Sequence, residues 1–396
     1  MPSPETLSYD LVAPRQIVFG WGRRSEVGRL ARSLGRRAFL VTGARALTER
    51  GVIGQLCDRL QAEGVEPIAV AEILHEPEVD DVDRLAADLR ARNAAPGDLM
   101  LAVGGGAAID LAKAAGAMAT QRQSPAVKDY LENVGRDLTI TDPPLPVVAL
   151  PTTAGTGAEA TRNAVISSYD PPFKKSLRDT RIMPWIALVD PELTVSVPAE
   201  VTAASGMDAI TQLLESYISR KAQPIPQALA RHGLKLALPA IAEAVGNPFS
   251  RPAREAMSHA ALLSGICLAN SGLGMAHGVA AALGVYCRAP HGAACALMLP
   301  VALRANREVR ARELAKLARE LFDLPGDVAD QQAVDRLIHE IEQLCQAVGV
   351  PRRLGQLGVR RDQIAAIVPA SRGSSMSGNP RELCDAELSQ LLEQLL

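Results

Sequence analysis

Aromatic residues are scarce in this chain: two Trp, five Tyr and five Phe among 396 residues. A hydrophobic fraction of 47% must therefore come mostly from Leu, Ala, Val and Ile. That palette suits helices and a covered parallel sheet better than a sandwich or barrel of short antiparallel strands. An excess of charge of one sign is also missing. Forty-two Lys and Arg stand against 44 Asp and Glu, a net charge of −2, which gives no reason to expect a nucleic acid or an anionic membrane as partner. No apolar run is long enough to span a bilayer. The opening MPSPETLS lacks the basic start and apolar segment of a secretory leader, so a cytoplasmic location is expected. The six cysteines, Cys57, Cys267, Cys287, Cys295, Cys345 and Cys384, form no CxxC pair and no disulfide framework. They read as reduced thiols, mostly buried. Cys267, Cys287 and Cys295 fall around two histidines of interest, where a thiolate could ligate zinc; the reading adopted is that they are small helix-packing residues.

What is present organises into two parts, since a chain of this length exceeds one hydrophobic core. Arg37–Thr42, Ile68–Val70, Leu99–Val103 and Pro146–Leu150 read as buried strands. Helical spacing separates them over Leu47–Leu60 and over the charged stretch Asp80–Arg92, and another helix begins near Ala107. Strands alternating with helices predict a parallel sheet covered on both faces. Two shorter runs, Ala164–Ser168 and Ala187–Asp190, lie on either side of KKSLRDTRIMP. After Pro198 only i, i+3, i+4 apolar periodicity remains. The expectation is an α/β domain over residues 1–198 and an all-α domain over 199–396, with a mobile loop at Ser371–Pro380 (SRGSSMSGNP).

Three motifs carry chemistry. Gly104-Gly105-Gly106 followed by Ala107 and Asp110 joins a strand to a helix. Such a turn lets backbone approach a phosphate, and the helix N-terminus offers free N–H groups to it. The spacing is not the GxGxxG fingerprint, so the turn could equally be structural. The second motif, Pro151–Glu159 (PTTAGTGAE), also follows a strand; Thr152, Thr153 and Thr156 supply hydroxyls for a ribose or phosphate, or cap the next element. Two such loops at successive strand ends reinforce each other, because ligands of parallel sheets bind at the carboxyl ends of strands. The third is His277 and His291, fourteen residues apart in a glycine-rich stretch, with Asp208 upstream in GMDAITQLLESY. Imidazole and carboxylate are the ligands of catalytic zinc or iron. His75, His232, His259 and His339 read as structural.

Together GGGAAIDLAKA, PTTAGTGAEAT, LVDPELT, GMDAITQLLESY and PHGAACALMLP, in this order and over essentially the whole chain from Val18–Gly22 onward, resemble the iron-containing (group III) alcohol dehydrogenases. The resemblance implies the dehydroquinate synthase-like architecture: an N-terminal dinucleotide-binding domain, a helical C-terminal domain and a cleft for cofactor, metal and substrate between them. It implies that the GGG turn receives the pyrophosphate, that the TTAGTG loop lies along the cofactor, and that Lys174 lies near it. The family's metal ligands are one Asp and three His; Asp208, His277 and His291 match three of these. Gln212, one helical turn after Asp208, stands where the remaining histidine belongs. Ala281 stands where a histidine of proton relay is found. A glutamine carbonyl is a weaker ligand than imidazole, but three protein ligands suffice for a catalytic metal, so a retained Fe2+ or Zn2+ is expected. In NAD-using relatives an Asp often occupies the position of Gly43; glycine there, with Arg45 nearby, favours NADP(H) over NAD(H).

The expected activity is hydride transfer between NAD(P)(H) and a small alcohol, aldehyde or ketone, in a protein that resemblance makes a homodimer. Two alternatives stand beside it. A metal-free reductase like the maleylacetate reductases would use His277 or His291 as general acid. A catalytically weakened paralogue would bind nucleotide only.

Overall fold

The computed structural model describes residues 8–43 and 45–396; the first seven residues inspected for a leader, and Ala44 of the Thr42–Arg45 turn, lie outside them. Six strands, β1 (Gln16–Phe19), β2 (Arg37–Thr42), β3 (Glu66–Glu72), β4 (Asp98–Gly104), β5 (Val147–Pro151) and β8 (Ile186–Val189), form one sheet in the order β1-β8-β5-β4-β2-β3. Every pairing in it is parallel. The central strands are apolar along their length because both faces are covered. Phe39, Val41, Met100 and Ala102 point into one layer, and Leu40, Leu99, Leu101 and Val103 into the other, as the two-residue period of a strand requires. The helices between the strands are α1 (Val27–Arg32), α2 (Arg45–Glu49), α3 (Val52–Ala62), α4 (Val79–Ala91) and α5 (Gly106–Met118).

One local expectation is corrected, and two strands not read from the sequence are added. The helix expected over Leu47–Leu60 is broken into α2 and α3, since Gly51 adopts a left-handed conformation between them. The edge strand β1 was hidden by its four-residue length. The segment KKSLR, in which only the resemblance singled out Lys174, lies in β7 (Pro172–Arg178), which pairs antiparallel with β6 (Asn163–Tyr169) in a separate two-stranded sheet. Its charges mask the period, yet they place Lys174 beside the cleft.

From Ala199 onward every regular element is helical: α6 (Ala199–Ile218), α7 (Pro224–Gly246), α8 (Arg251–Ser271), α9 (Met275–Cys287), α10 (His291–Asn306), α11 (Ala311–Phe322), α12 (Asp330–Ala347), α13 (Ile364–Ala370) and α14 (Asp385–Gln394), with short 3-10 turns between. Met207, Ile210, Leu213 and Leu214 of α6 centre one helical core, which α7, α8, α11 and α12 complete. Ala187 and Val189 of β8 pack on Leu262 and Ile266 of α8, so the sheet and the helices share a hydrophobic seam. Among the described residues no single helix is long and apolar enough to cross a membrane.

The stretch Ser371–Pro380 is not the loose loop expected. Ser371 and Asn379 are buried, and the Asn379 side-chain oxygen accepts hydrogen bonds from the Met275 amide (3.2 Å) and the Asn306 side chain (2.9 Å). Asn379 thereby ties this stretch to the start of α9 and to α10.

Candidate metal and cofactor site

Parallel strands bring their carboxyl ends to one side, and the two glycine-rich loops meet there. The Thr152 amide donates to the Gly104 carbonyl at 3.0 Å. A Cβ on Gly106 would come within 2.8 Å of Thr156 Cγ2, so only glycine admits this contact. Gly105, Gly106 and Ala107 at the N-terminus of α5, and Thr153 and Thr156 opposite, are only partly buried and border the crevice; Thr152 is buried beneath them. Thr156 Oγ1 also accepts from the Ala158 amide (3.3 Å), so the capping use exists beside any ligand use. Asp110 has an internal job: it pairs with Lys113 (2.9 Å) and accepts from the Val165 amide (3.0 Å), tying α5 to β6. Its carboxylate is thereby consumed by the protein rather than offered to a cofactor.

The Gly43 position is tighter than charge reasoning suggests. A Cβ there would lie 2.9 Å from the Ala108 Cβ and 3.2 Å from the Ile73 carbonyl, so packing alone demands glycine. Arg45 is exposed, but its guanidinium lies 3.7 Å from the Glu72 carboxylate at the end of β3. The cation expected to greet a 2′-phosphate is thus partly matched by a carboxylate that local sequence did not connect to it.

Deeper in, α6, α9 and α10 each contribute to one cluster. Asp208, His277, His291 and Cys295 hold their donor atoms within 4.8 Å of one another. Asp208 Oδ1 lies 3.1 Å from His277 Nε2 and 3.9 Å from His291 Nε2. Cys295, one turn beyond His291 on α10, places its sulfur 3.6 Å from His291 Nε2. Glu215 organises the cluster from behind. Its Oε1 accepts from the Ala276 amide (2.7 Å) and its Oε2 from His277 Nδ1 (2.7 Å). One carboxylate therefore caps the first turn of α9 and turns His277 so that Nε2 faces Asp208. A Cβ on Gly274, just before α9, would sit 2.8 Å from Glu215 Oε1, so glycine is what lets the carboxylate in.

Sequence reasoning overlooked Glu215 although the signal was present: residues 208, 212 and 215 follow i, i+4, i+7 spacing and share one helix face. It treated Cys295 as packing, and the fold brings it into the cluster. Gln212 is engaged by its neighbours. Its carbonyl oxygen accepts from the Ser264 hydroxyl (2.9 Å), while its amide nitrogen lies 3.3 Å from the Thr156 carbonyl and 3.4 Å from Asp208 Oδ2. Both ends of the amide are engaged, and the end nearest Asp208 is a donor, unsuited to a cation. Ala281 is half-buried on α9 and carries no titratable group.

Electrostatics separate the two histidines. Burial opposes charge on His277, yet Cys295, Asp208 and Glu215 outweigh it and hold this imidazole well above its ordinary value. Burial, reinforced by the Lys174 ammonium, pushes His291 down to about 4. Burial also works against the Asp208 carboxylate, but the His277 hydrogen bond and the two imidazoles keep it below its ordinary range. Lys174 reaches the same region from β7, pairs with Glu76 at 2.5 Å and lies near Gly284 of α9. One carboxylate, two imidazoles of opposite bias and a thiol around one point form a donor set that suits a divalent zinc or iron ion.

Comparison with known proteins places the chain in a family. Residues 14–191 match the family model for the iron-containing alcohol dehydrogenases, and residues 202–396 match that for the C-terminal part of the same family. The chain is 31% identical over 391 residues to a 1,3-propanediol dehydrogenase of Klebsiella pneumoniae, covering 98% of each. It is 30% identical over 385 residues to long-chain-alcohol dehydrogenase 1 of Geobacillus thermodenitrificans, covering 97% of this chain and 95% of that one. A crystal structure of a 1,3-propanediol oxidoreductase superposes with a TM-score of 0.91 at 29% identity, over 98% of this chain and all of the other. With both parts of the chain matched and the fold superposing throughout, the protein belongs to the iron-containing alcohol dehydrogenase family.

Proposed function

We propose that the chain is an NAD(P)-dependent oxidoreductase interconverting a small alcohol with its aldehyde or ketone, and that Asp208, His277 and His291 hold a divalent metal for this reaction. The observation that carries the reading is the position of Gln212, whose amide nitrogen touches both the Thr156 carbonyl of the cofactor-side loop (3.3 Å) and Asp208 of the cluster (3.4 Å). One side chain spans the two sites, as hydride transfer from a bound nicotinamide to a substrate at the cluster requires. A divalent ion at this cluster supplies Lewis-acid polarisation of the substrate oxygen. The chain's own contributions are orientation and exclusion of water: Glu215 fixes the His277 ring, and the buried setting of Asp208 and His277 keeps the cluster dry. Lys174 and the crevice residues Gly105, Gly106, Ala107, Thr153 and Thr156 border the cofactor in this reading. Ala281 offers no proton, so this position cannot serve the proton exchange at the alcohol oxygen.

Within the same proposal the cofactor is NADP(H) in preference to NAD(H), because Gly43 removes the carboxylate that would repel a 2′-phosphate. The domain boundary near Pro198, a homodimeric assembly and a cytoplasmic location belong to it as well. The test is nicotinamide absorbance with a panel of small aldehydes and alcohols, before and after chelation and with Zn2+ or Fe2+ restored. Turnover that falls on chelation and returns with metal is the expected result; full turnover in metal-free protein overturns the metal role. One observation favours that second outcome: His277 lies between Asp208 and Glu215, so an imidazolium there has a carboxylate partner on each ring nitrogen without any metal.

A further inference from the structure

We propose that Cys295 is the fourth metal ligand, its thiolate filling the corner that Gln212 leaves empty, so that the site is an Asp-His-His-Cys set. The proposal rests on the metal reading above and deepens it. The Gln212 carbonyl is turned away to Ser264 and its nearest face to Asp208 is an N–H donor. The side chain that does point inward comes from α10: Cys295 is buried, one turn from His291 and on the same face.

The distances fit a single ion. Metal–nitrogen and metal–oxygen bonds of about 2.0–2.1 Å and a metal–sulfur bond of about 2.3 Å put neighbouring tetrahedral donors roughly 3.3–3.6 Å apart. The observed separations are 3.6 Å for Cys295 sulfur to His291 Nε2, 3.1 Å for Asp208 to His277 and 3.9 Å for Asp208 to His291. All four donor atoms lie within 4.8 Å of one another. Charge supports the same assignment. Asp208 and a thiolate together neutralise a dication, which matters in a cluster whose Asp208, His277 and Cys295 are buried. The thiol proton leaves to solvent as the sulfur–metal bond forms, in the ordinary proton release of metal binding. A soft sulfur donor, and the higher place of zinc in the divalent series, then favour Zn2+ over Fe2+ here.

The alternative, a small residue filling the helical core, makes Cys295 silent toward metal. Cobalt substitution separates the two. Chelated protein loaded with Co2+ is expected to show visible d–d bands and a sulfur-to-cobalt charge-transfer band in the near ultraviolet. Cys295→Ser should keep the d–d bands, lose the charge-transfer band and bind Zn2+ on the order of tenfold more weakly, equivalent to about 1.4 kcal/mol. Cys287→Ser, on the neighbouring helix, should leave the band intact. Should the Cys295 variant misfold by circular dichroism, X-ray absorption at the zinc edge of the unaltered protein still decides, with one sulfur in the shell expected. Bound cobalt without a sulfur band, or a band that survives in Cys295→Ser, overturns the Cys295 assignment and leaves the metal reading standing. Failure to bind Co2+ or Zn2+ at all overturns both.

Discussion

The cofactor crevice and the metal cluster lie one side chain apart but are built of different material. The crevice is mostly backbone: the Gly104–Gly106 turn, the N-terminus of α5 and the Thr152–Thr156 loop, packed so closely that a Cβ on Gly106 would strike Thr156. The cluster is all side chain, drawn from α6, α9 and α10. A backbone site cannot exchange one residue for another without losing the close approach. A side-chain site can, provided the donors still converge. That difference fits where the resemblance to the family breaks: the glycine loops match it, while Gln212 and Ala281 stand where it implies histidines.

Experiments that break the cluster should have the largest effects. His277→Ala and His291→Ala are each expected to remove most activity, a hundredfold or more, and to release metal, measured by steady-state assay and elemental analysis. His259→Ala is the control. His259 stacks edge-on against Phe19 (ring centroids 5.0 Å) and His232 (5.9 Å), away from the cluster, and metal content should be unchanged. Loss of metal in the His259 variant alone would redraw the site.

Glu215→Gln probes the support behind the cluster. The amide keeps its size but loses the charge that holds the His277 Nδ1 hydrogen bond, and outer-shell changes of this kind cost about 10–100-fold in metal affinity or activity. Competition with a chelator reads the affinity; an unchanged value would mean that the 2.7 Å contact only caps α9.

Two predictions test the backbone-built side. Gly43→Asp is expected to destabilise the protein by roughly 1–3 kcal/mol through overpacking against Ala108 and Ile73, rather than switch the cofactor cleanly. Adding Ala108→Gly should recover part of that loss in a denaturant titration and allow NADH to gain on NADPH. Glu159, at the end of the Pro151–Glu159 loop, is buried, and burial lifts its carboxyl from 4.5 to about 7, with Lys113 opposing. Between those values the folded protein binds a proton that the unfolded chain has released, so stability falls as pH rises from about 4.5 to about 7 and levels off above it. Thermal melts across that range should show the decline in the parent and lose that component in Glu159→Gln. A decline of equal slope in both would assign it elsewhere.

The smallest effect concerns Arg45. Glu72→Gln removes the carboxylate 3.7 Å from its guanidinium, and an exposed pair of this kind is worth about 0.5 kcal/mol. Preference for NADPH over NADH, read by fluorescence titration, should rise about twofold. No change would mean that Arg45 does not face the ribose.

Local order made much of this protein legible before any coordinates. Apolar runs such as Arg37–Thr42 and Leu99–Val103 can only be covered strands, the period after Pro198 can only be helical, and glycines directly after strands mark turns where backbone must come close. Asp208, His277 and His291 stood out because their residue types suit a metal. Tertiary structure alone decided which neighbours reach the same point. Cys295 and Asp208 are 87 positions apart in the chain, and Glu215 meets His277 across two helices. Which groups meet the two ends of the Gln212 amide, Ser264 and Asp208, is decided by what packs against α6, and how crowded Gly43 is by where Ala108 lies. Periodicity is a property of adjacent residues, whereas convergence of donors depends on how distant helices pack, and no local pattern encodes that distance.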